Sequence, residues 1–97
     1  MIHFENRFLE RIGERPSLLD QFEIADLARK GKYLCIRSSN TRSIHNIPYK
    51  GKNIWVIYDS SHRTCVTVLT EDMAKEAIEK AKWWNEIKKT NRKRMHI

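Results

Sequence analysis

Apolar residues recur at helical spacing over the first third of the chain. Phe4, Phe8, Leu9 and Ile12 fall on one face of a helix predicted over residues 5–15, which Pro16 closes. Ser17, followed at the third position by Asp20, has the form of a capping box and opens a second helix from Leu18 to Lys30. Leu18, Leu19, Phe22, Ala25 and Ala28 make its apolar stripe, and Gly31 is a suitable C-terminal stop.

Past Gly31 the period changes from 3.6 to 2. Tyr33–Ser38 reads as a strand and Thr41–Ile47 as a second, more polar one, with a turn over Pro48–Lys52. Asn53–Asp59 and Arg63–Thr70, rich in Trp, Ile, Val, Tyr and Thr, are the strongest strand segments and are joined by a short Ser-Ser-His loop. Thr70 then caps a long closing helix, with Glu71 and Asp72 suited to its positive N-terminal end. Met73, Ala77, Ile78, Ala81 and Trp84 repeat along it at helical spacing. From Lys88 to Ile97 the pattern frays into a basic, flexible tail.

The predicted fold is α+β: two N-terminal helices on an antiparallel sheet of three or four strands, then a long C-terminal helix. Helices gathered on one face leave the other face of the sheet free. Residues 1–87 form one domain and 88–97 its tail. The 97-residue length allows one modest core, and a 40% hydrophobic content is enough to pack it. Cys35 and Cys65 each sit in an apolar strand-like run, and neither has zinc-ligand spacing to another Cys or His. We read them as buried thiols of a reducing compartment rather than as an inter-strand disulfide. No apolar run approaches membrane-spanning length and the N-terminus lacks a signal-peptide core, so the expected location is the cytoplasm and no membrane partner is expected.

The formal charge of +7 favours a polyanionic partner, and its distribution sharpens that expectation. No acid lies between Asp26 and Asp59, whereas Arg29, Lys30, Lys32, Arg37, Arg42, Lys50 and Lys52 all do. A basic sheet face carrying Tyr33, Tyr49 and His45 suits phosphates and stacked bases, so RNA is the expected partner, with Arg37, Tyr49, Lys50 and Lys52 as contacts. Lys88, Lys89, Arg92, Lys93 and Arg94 form a second cationic block. In the first helix, His3, Arg7, Arg11 and Arg15 are spaced by four and align as a cationic stripe that a phosphate would neutralise.

Several chemistries are set aside. There is no Gly-rich phosphate loop, HExxH or GxSxG, and the carboxylates lie beside Lys or Arg rather than in a cluster that would hold two metal ions. No cofactor or metal site is expected. Metal-independent RNA cleavage needs only a base for the 2′-OH, an acid for the leaving oxygen and cations for the charged phosphorane. His45 is the acid/base candidate, lying in the polar strand of the acid-free interval. Tyr58 and Thr67 lie on the two strongest strands, where they can face the same site.

IWVIYDSSHRTCVTVL (Ile54–Leu69), after two helices and a polar strand, resembles the strand hairpin of RelE-type toxin ribonucleases, a group sharing its sheet with barnase and the colicin nucleases. RFLERIGER (Arg7–Arg15) is similar to the HxxxRxxxR helix of a small-domain family often placed beside them. The resemblance implies an endoribonuclease acting without metal, of toxin or phage and mobile-element type. By position, it places the basic residue of the polar strand at Arg42 or His45. The helix residues fall at Arg7, Arg11 and Arg15, with Arg7 standing where the small-domain family has histidine. After the last strand, Thr70-Glu71-Asp72 stands where RelE proteins have basic and tyrosine catalytic residues.

Three functions follow as alternatives. The first is an endoribonuclease using His45, Arg7, Arg11 and Arg42 with Tyr58 and Thr67. The second is a non-catalytic nucleic-acid-binding regulator. The third is a protein-binding factor of phage-inhibitor type that docks its basic face on an acidic host protein, with Trp83 as an interface anchor. Whether a neutralising antitoxin accompanies a ribonuclease of the first kind is left open by the sequence.

Overall fold

The capping box at Ser17 forms as the sequence predicts. Ser17 Oγ accepts from the Asp20 N–H at 3.0 Å, and Asp20 Oδ2 accepts from the Ser17 N–H at 3.2 Å. These bonds satisfy helix-start groups that the helix itself leaves open. The computed structural model describes the backbone of residues 2–95 and the side chains of residues 3–89. Helix α2 spans Leu18–Lys30 and ends at Gly31, whose φ of 76° lies in the left-handed region. Helix α1 spans Ile2–Ile12, so it begins before residue 5 and leaves Arg15 outside. The Gly13 N–H closes its last turn on the Leu9 carbonyl oxygen at 3.1 Å.

The apolar stripe of α2 is a correction. Ile24 and Ala28 are buried, but Leu18, Leu19 and Phe22 are 65–67% exposed and lie across the helix from them. Polar residues take inward positions instead. Tyr49 Oη donates to Asp20 Oδ2 at 3.1 Å, and Gln21 Nε2 donates to Glu5 Oε1 at 2.9 Å. A count of apolar positions alone assigns that side of the helix to solvent.

Strands β1 (Leu34–Arg37), β2 (Arg42–Tyr49), β3 (Lys52–Asp59) and β4 (Thr64–Leu69) form an antiparallel meander in the order β1-β2-β3-β4. The β2–β3 turn is tighter than the predicted Pro48–Lys52. Tyr49 pairs with Lys52, and Lys50 and Gly51 both have positive φ, at 47° and 80°, as a two-residue hairpin turn of the strands' own twist requires. Pro48 sits within β2, opposite Asn53. It is tolerated because β1 falls short of it: the last bond on that side joins the Asn46 N–H to the Tyr33 carbonyl oxygen.

Side-chain alternation along the strands divides the core in two. Ile47, Tyr49, Ile54, Val56, Tyr58, Cys65 and Val68 pack with Phe4 and Phe8 of α1 and Ile24 and Ala28 of α2. Ile44 points to the other face and is also fully buried, with Leu69, Ala74 and Ala81. The cover there is helix α3 (Glu71–Met95), which contacts both outer strands, β4 and β1, and is tied to β1 where Asn85 Nδ2 donates to the Arg37 carbonyl oxygen at 2.9 Å. Its small alanines let the backbone approach the sheet. The expected open sheet face is therefore occupied. The acid-free interval places its cations at strand ends, turns and the end of α2, not on a sheet surface.

Helix α3 begins as predicted, with Thr70 Oγ1 accepting from the Met73 N–H at 3.3 Å. It also runs through Lys88 and Lys89 to Met95. The side chains of Arg92, Lys93 and Arg94 lie outside the described residues. Among the described residues, no helix is long and apolar enough to cross a membrane.

Asp59, His45 and the Cys65 thiol are buried with distinct consequences. Asp59 organises the β3–β4 loop by accepting from the Ser61 hydroxyl and, at 2.9 Å, from the Ser61 N–H, and Arg42 Nε approaches it at 3.3 Å. The Ser61 hydroxyl foremost, with these other donors, holds its carboxyl far below the usual carboxylate range. His45 is 2% exposed, with Nε2 2.7 Å from Ser43 Oγ, and burial pushes its imidazole below the ordinary value of 6.5. Cys65 is buried and its thiol is pushed up to about 12, whereas Cys35 is exposed, contrary to the expectation of two buried thiols.

His45 binds a proton less readily folded than unfolded. Its contribution to stability is therefore present above pH 6.5 and declines as the pH falls through that value. Urea unfolding at pH 7.5 and pH 5.0 should show the wild type weaker at the lower pH, with a smaller drop for His45→Phe. The corrected packing makes a second prediction. Phe8→Ala should cost about 3–5 kcal/mol, while Phe22→Ala should stay within about 0.5 kcal/mol of wild type.

Candidate functional site

Helix α1 lies along β4, the edge strand of the sheet, with Phe4 and Phe8 turned into the core. Residues one helical turn apart share a face, so His3, Arg7 and Arg11 line up on the side left outside. Arg11 Nη1 donates to the Val68 carbonyl oxygen at 2.6 Å and to Thr67 Oγ1 at 3.2 Å, which ties the helix to the strand. Arg42, at the start of β2, reaches the same place. The result is a cleft of about 400 Å³ lined by His3, Arg7, Arg11, Arg42, Val66, Thr67, Leu69 and Met73.

The cleft is cationic, and only part of its charge is balanced. Arg7 pairs with Glu10 at 3.0 Å on the exposed helix surface, and Arg42 pairs with the nearly buried Asp59. Arg11 uses neutral acceptors, and among the described residues it has no carboxylate partner. Three guanidinium groups, an imidazole and a hydroxyl facing one hollow can grip a tetrahedral anion from several sides. Arginine's fixed fork of donors suits phosphate oxygens.

Four of the six proposed catalytic residues, Arg7, Arg11, Arg42 and Thr67, therefore meet in one cleft. The other two do not join them. His45 and Tyr58 lie on the opposite face of the sheet under α2, their rings edge to face with centroids 6.2 Å apart. They border a separate hollow of about 250 Å³ with Ser43, Ser60, Arg29 and Arg37. An imidazole this buried does not reach a phosphate in the arginine cleft.

The proposed nucleic-acid contacts are dispersed. Tyr49 is a core residue whose ring meets Phe8 edge-on, so it offers no face for stacking. Lys50 lies over the Tyr49 ring and near Glu14 and Asp20, at 3.7 and 3.9 Å. Arg37 donates to the Asn40 carbonyl oxygen. Lys52 and Lys89 are exposed, and Lys88 lies over the Trp84 ring, 4.9 Å from its centroid.

His3 is the cleft residue that sequence reasoning left out of the catalytic set. The signal was present, since it opens the four-residue spacing His3-Arg7-Arg11. The helix boundary decides the matter: α1 includes His3 and ends before Arg15. Val66, Leu69 and Met73 gave no sequence signal, because apolar walls resemble core positions. Among the described residues, no group of three or more His, Cys, Asp or Glu side chains is placed to hold a metal ion. No protein-family model, curated protein or solved structure matches the chain.

Proposed function

We propose that this chain is a small RNA-binding protein acting as a metal-independent endoribonuclease, with the cleft between α1 and β4 as its site. The observation that carries the reading is the convergence of His3, Arg7, Arg11, Arg42 and Thr67 on one open hollow. In this mechanism His3 takes the 2′-hydroxyl proton as the 2′-oxygen bonds to the adjacent phosphorus. The bond from phosphorus to the 5′-oxygen breaks, that oxygen takes a proton from water, and the hydroxide so formed takes the proton held by His3, which restores the neutral imidazole. The products are a 2′,3′-cyclic phosphate and a 5′-hydroxyl. Arg7, Arg11 and Arg42 balance the extra negative charge of the phosphorane, and Thr67 orients Arg11. His45 has no part in the chemistry.

The resemblance to the HxxxRxxxR helix supports the same site in a different register. His3, Arg7 and Arg11 carry that spacing with the histidine present, and these three residues line the cleft. A protein partner, such as a neutralising antitoxin, is favoured by one separate observation: Trp83 is 68% exposed on α3, away from the cleft lining.

Incubation of the purified protein with RNA in EDTA should yield cyclic-phosphate ends, and His3→Ala should slow cleavage by about 10²–10⁴-fold while His45→Phe keeps it. Intact RNA with binding retained would leave a non-catalytic binder. The salt dependence of binding gives a second measure. Arg7→Gln should reduce the slope of log K against log salt by about 0.7 on single-stranded RNA. Replacing Lys88, Lys89, Arg92, Lys93 and Arg94 together should flatten it further, and an unchanged slope would remove the end of α3 as a phosphate contact.

A further inference from the structure

Beside the arginine cleft lies a second pocket, of about 360 Å³, that shares Arg11 and Leu69 with it. That volume falls in the range of small-ligand sites, roughly 300–1,000 Å³. Its other polar lining comes from Asn46, Asn53, Trp55, Glu71 and Thr70, whose hydroxyl is taken up in capping α3. The sheet register explains why these residues meet. Asn46 and Leu69 are the cross-strand partners of Trp55 on either side, and Asn53 lies two positions earlier on the same face of β3. Glu71 is the first residue of α3, directly after β4.

Four of these side chains are unengaged. Among the described residues, neither the Asn46 and Asn53 amides, the Trp55 indole N–H nor the Glu71 carboxylate has a hydrogen bond or ion pair. Each is a group that binds a partner when one is offered. Four such groups around one hollow, beside a cationic cleft, form a recognition surface rather than packing.

We propose that this pocket is a nucleobase subsite that selects guanine, an inference that rests on the phosphate-binding reading of the adjoining cleft. Arg11 is the junction, where the chain passes from phosphate to base. Trp55 is half-buried and supplies an aromatic ring for stacking. Glu71 repels phosphate by charge, which keeps the backbone in the arginine cleft and leaves the uncharged base as the group that enters. Its two carboxylate oxygens call for two donors side by side. Among the four RNA bases, guanine alone presents adjacent N–H donors, N1–H and the N2 amino group, on its pairing edge. The Asn46 and Asn53 amides supply donors for the O6 and N7 acceptors on the other side of the ring.

Fluorescence anisotropy with 2′-O-methyl hexamers separates this proposal from its premise, because such strands bind without being cut. The set comprises all-uridine and three strands carrying one central guanine, adenine or cytosine. Wild type should bind the guanine strand about tenfold more tightly than the others. Glu71→Gln and Trp55→Ala should each bring that ratio close to one, and Trp55→Phe, which keeps a stacking ring, should restore most of it. Circular dichroism confirms that each variant is folded. Arg7→Gln should weaken all four strands and leave the ratio intact. Equal binding of the four strands, still dependent on Arg7, overturns the base pocket and spares the phosphate cleft. A preference for adenine, cytosine or uridine overturns the assignment to guanine. Binding unaffected by Arg7→Gln overturns the premise itself.

Discussion

Arg11 holds the outer edge of β4, and the rest of the cleft depends on that contact. An edge strand presents unpaired backbone groups to solvent, a standing invitation to pair with another chain. Here a guanidinium from α1 takes the Val68 carbonyl oxygen and the Thr67 hydroxyl at once. Phe4 and Phe8 anchor the same helix in the core from its other side. With the helix pinned on both sides, the backbone that carries His3 and Arg7 is held beside β4. The residue that protects the sheet edge thus also sits at the centre of the cationic groups that line the cleft.

The second constraint is the burial of both sheet faces. With α3 laid across Ile44 and Leu69, that part of the second face is covered, and only its end at Asn46, Asn53 and Trp55 stays partly exposed among the described residues. Cations from the acid-free interval are pushed to turns and strand ends, where several find local partners: Arg29 and Lys30 with Asp26, and Lys50 with Glu14 and Asp20. What remains is a narrow cleft at one edge. Its scale suits a few nucleotides, which is why the proposed function concerns a local phosphate and its neighbouring base rather than a long groove.

Much of this was legible in the sequence. The element order, the capping box at Ser17 and the two strongest strands all emerge from spacing and turn residues, because those signals act over a few residues. The faces were harder to assign. On α2 the inward positions include Asp20 and Gln21, which enter by hydrogen bonding to Tyr49 and Glu5 and so leave no hydrophobic trace. The arginine stripe of α1 was visible, but choosing His3 over Arg15 required the helix ends. The burial of His45, away from the arginine cleft, escaped the pattern for a related reason. In a strand that alternates, a polar residue is assigned to the solvent side, whereas the Ser43 hydroxyl gives this imidazole a partner inside the protein. Burial of the second face is a long-range property that no local pattern records.

The two sulfur atoms illustrate how unequal two identical residues become once folded. Cys65, deep under α1 and α2, keeps its proton far into alkaline solution, and it is the thiolate that reacts. Cys35 sits exposed on the opposite edge strand, with two strands between it and β4. A thiol-directed dye or spin label therefore has a single address on the native molecule, at the far side from the cleft, and a reporter can be attached there without touching any arginine that lines it.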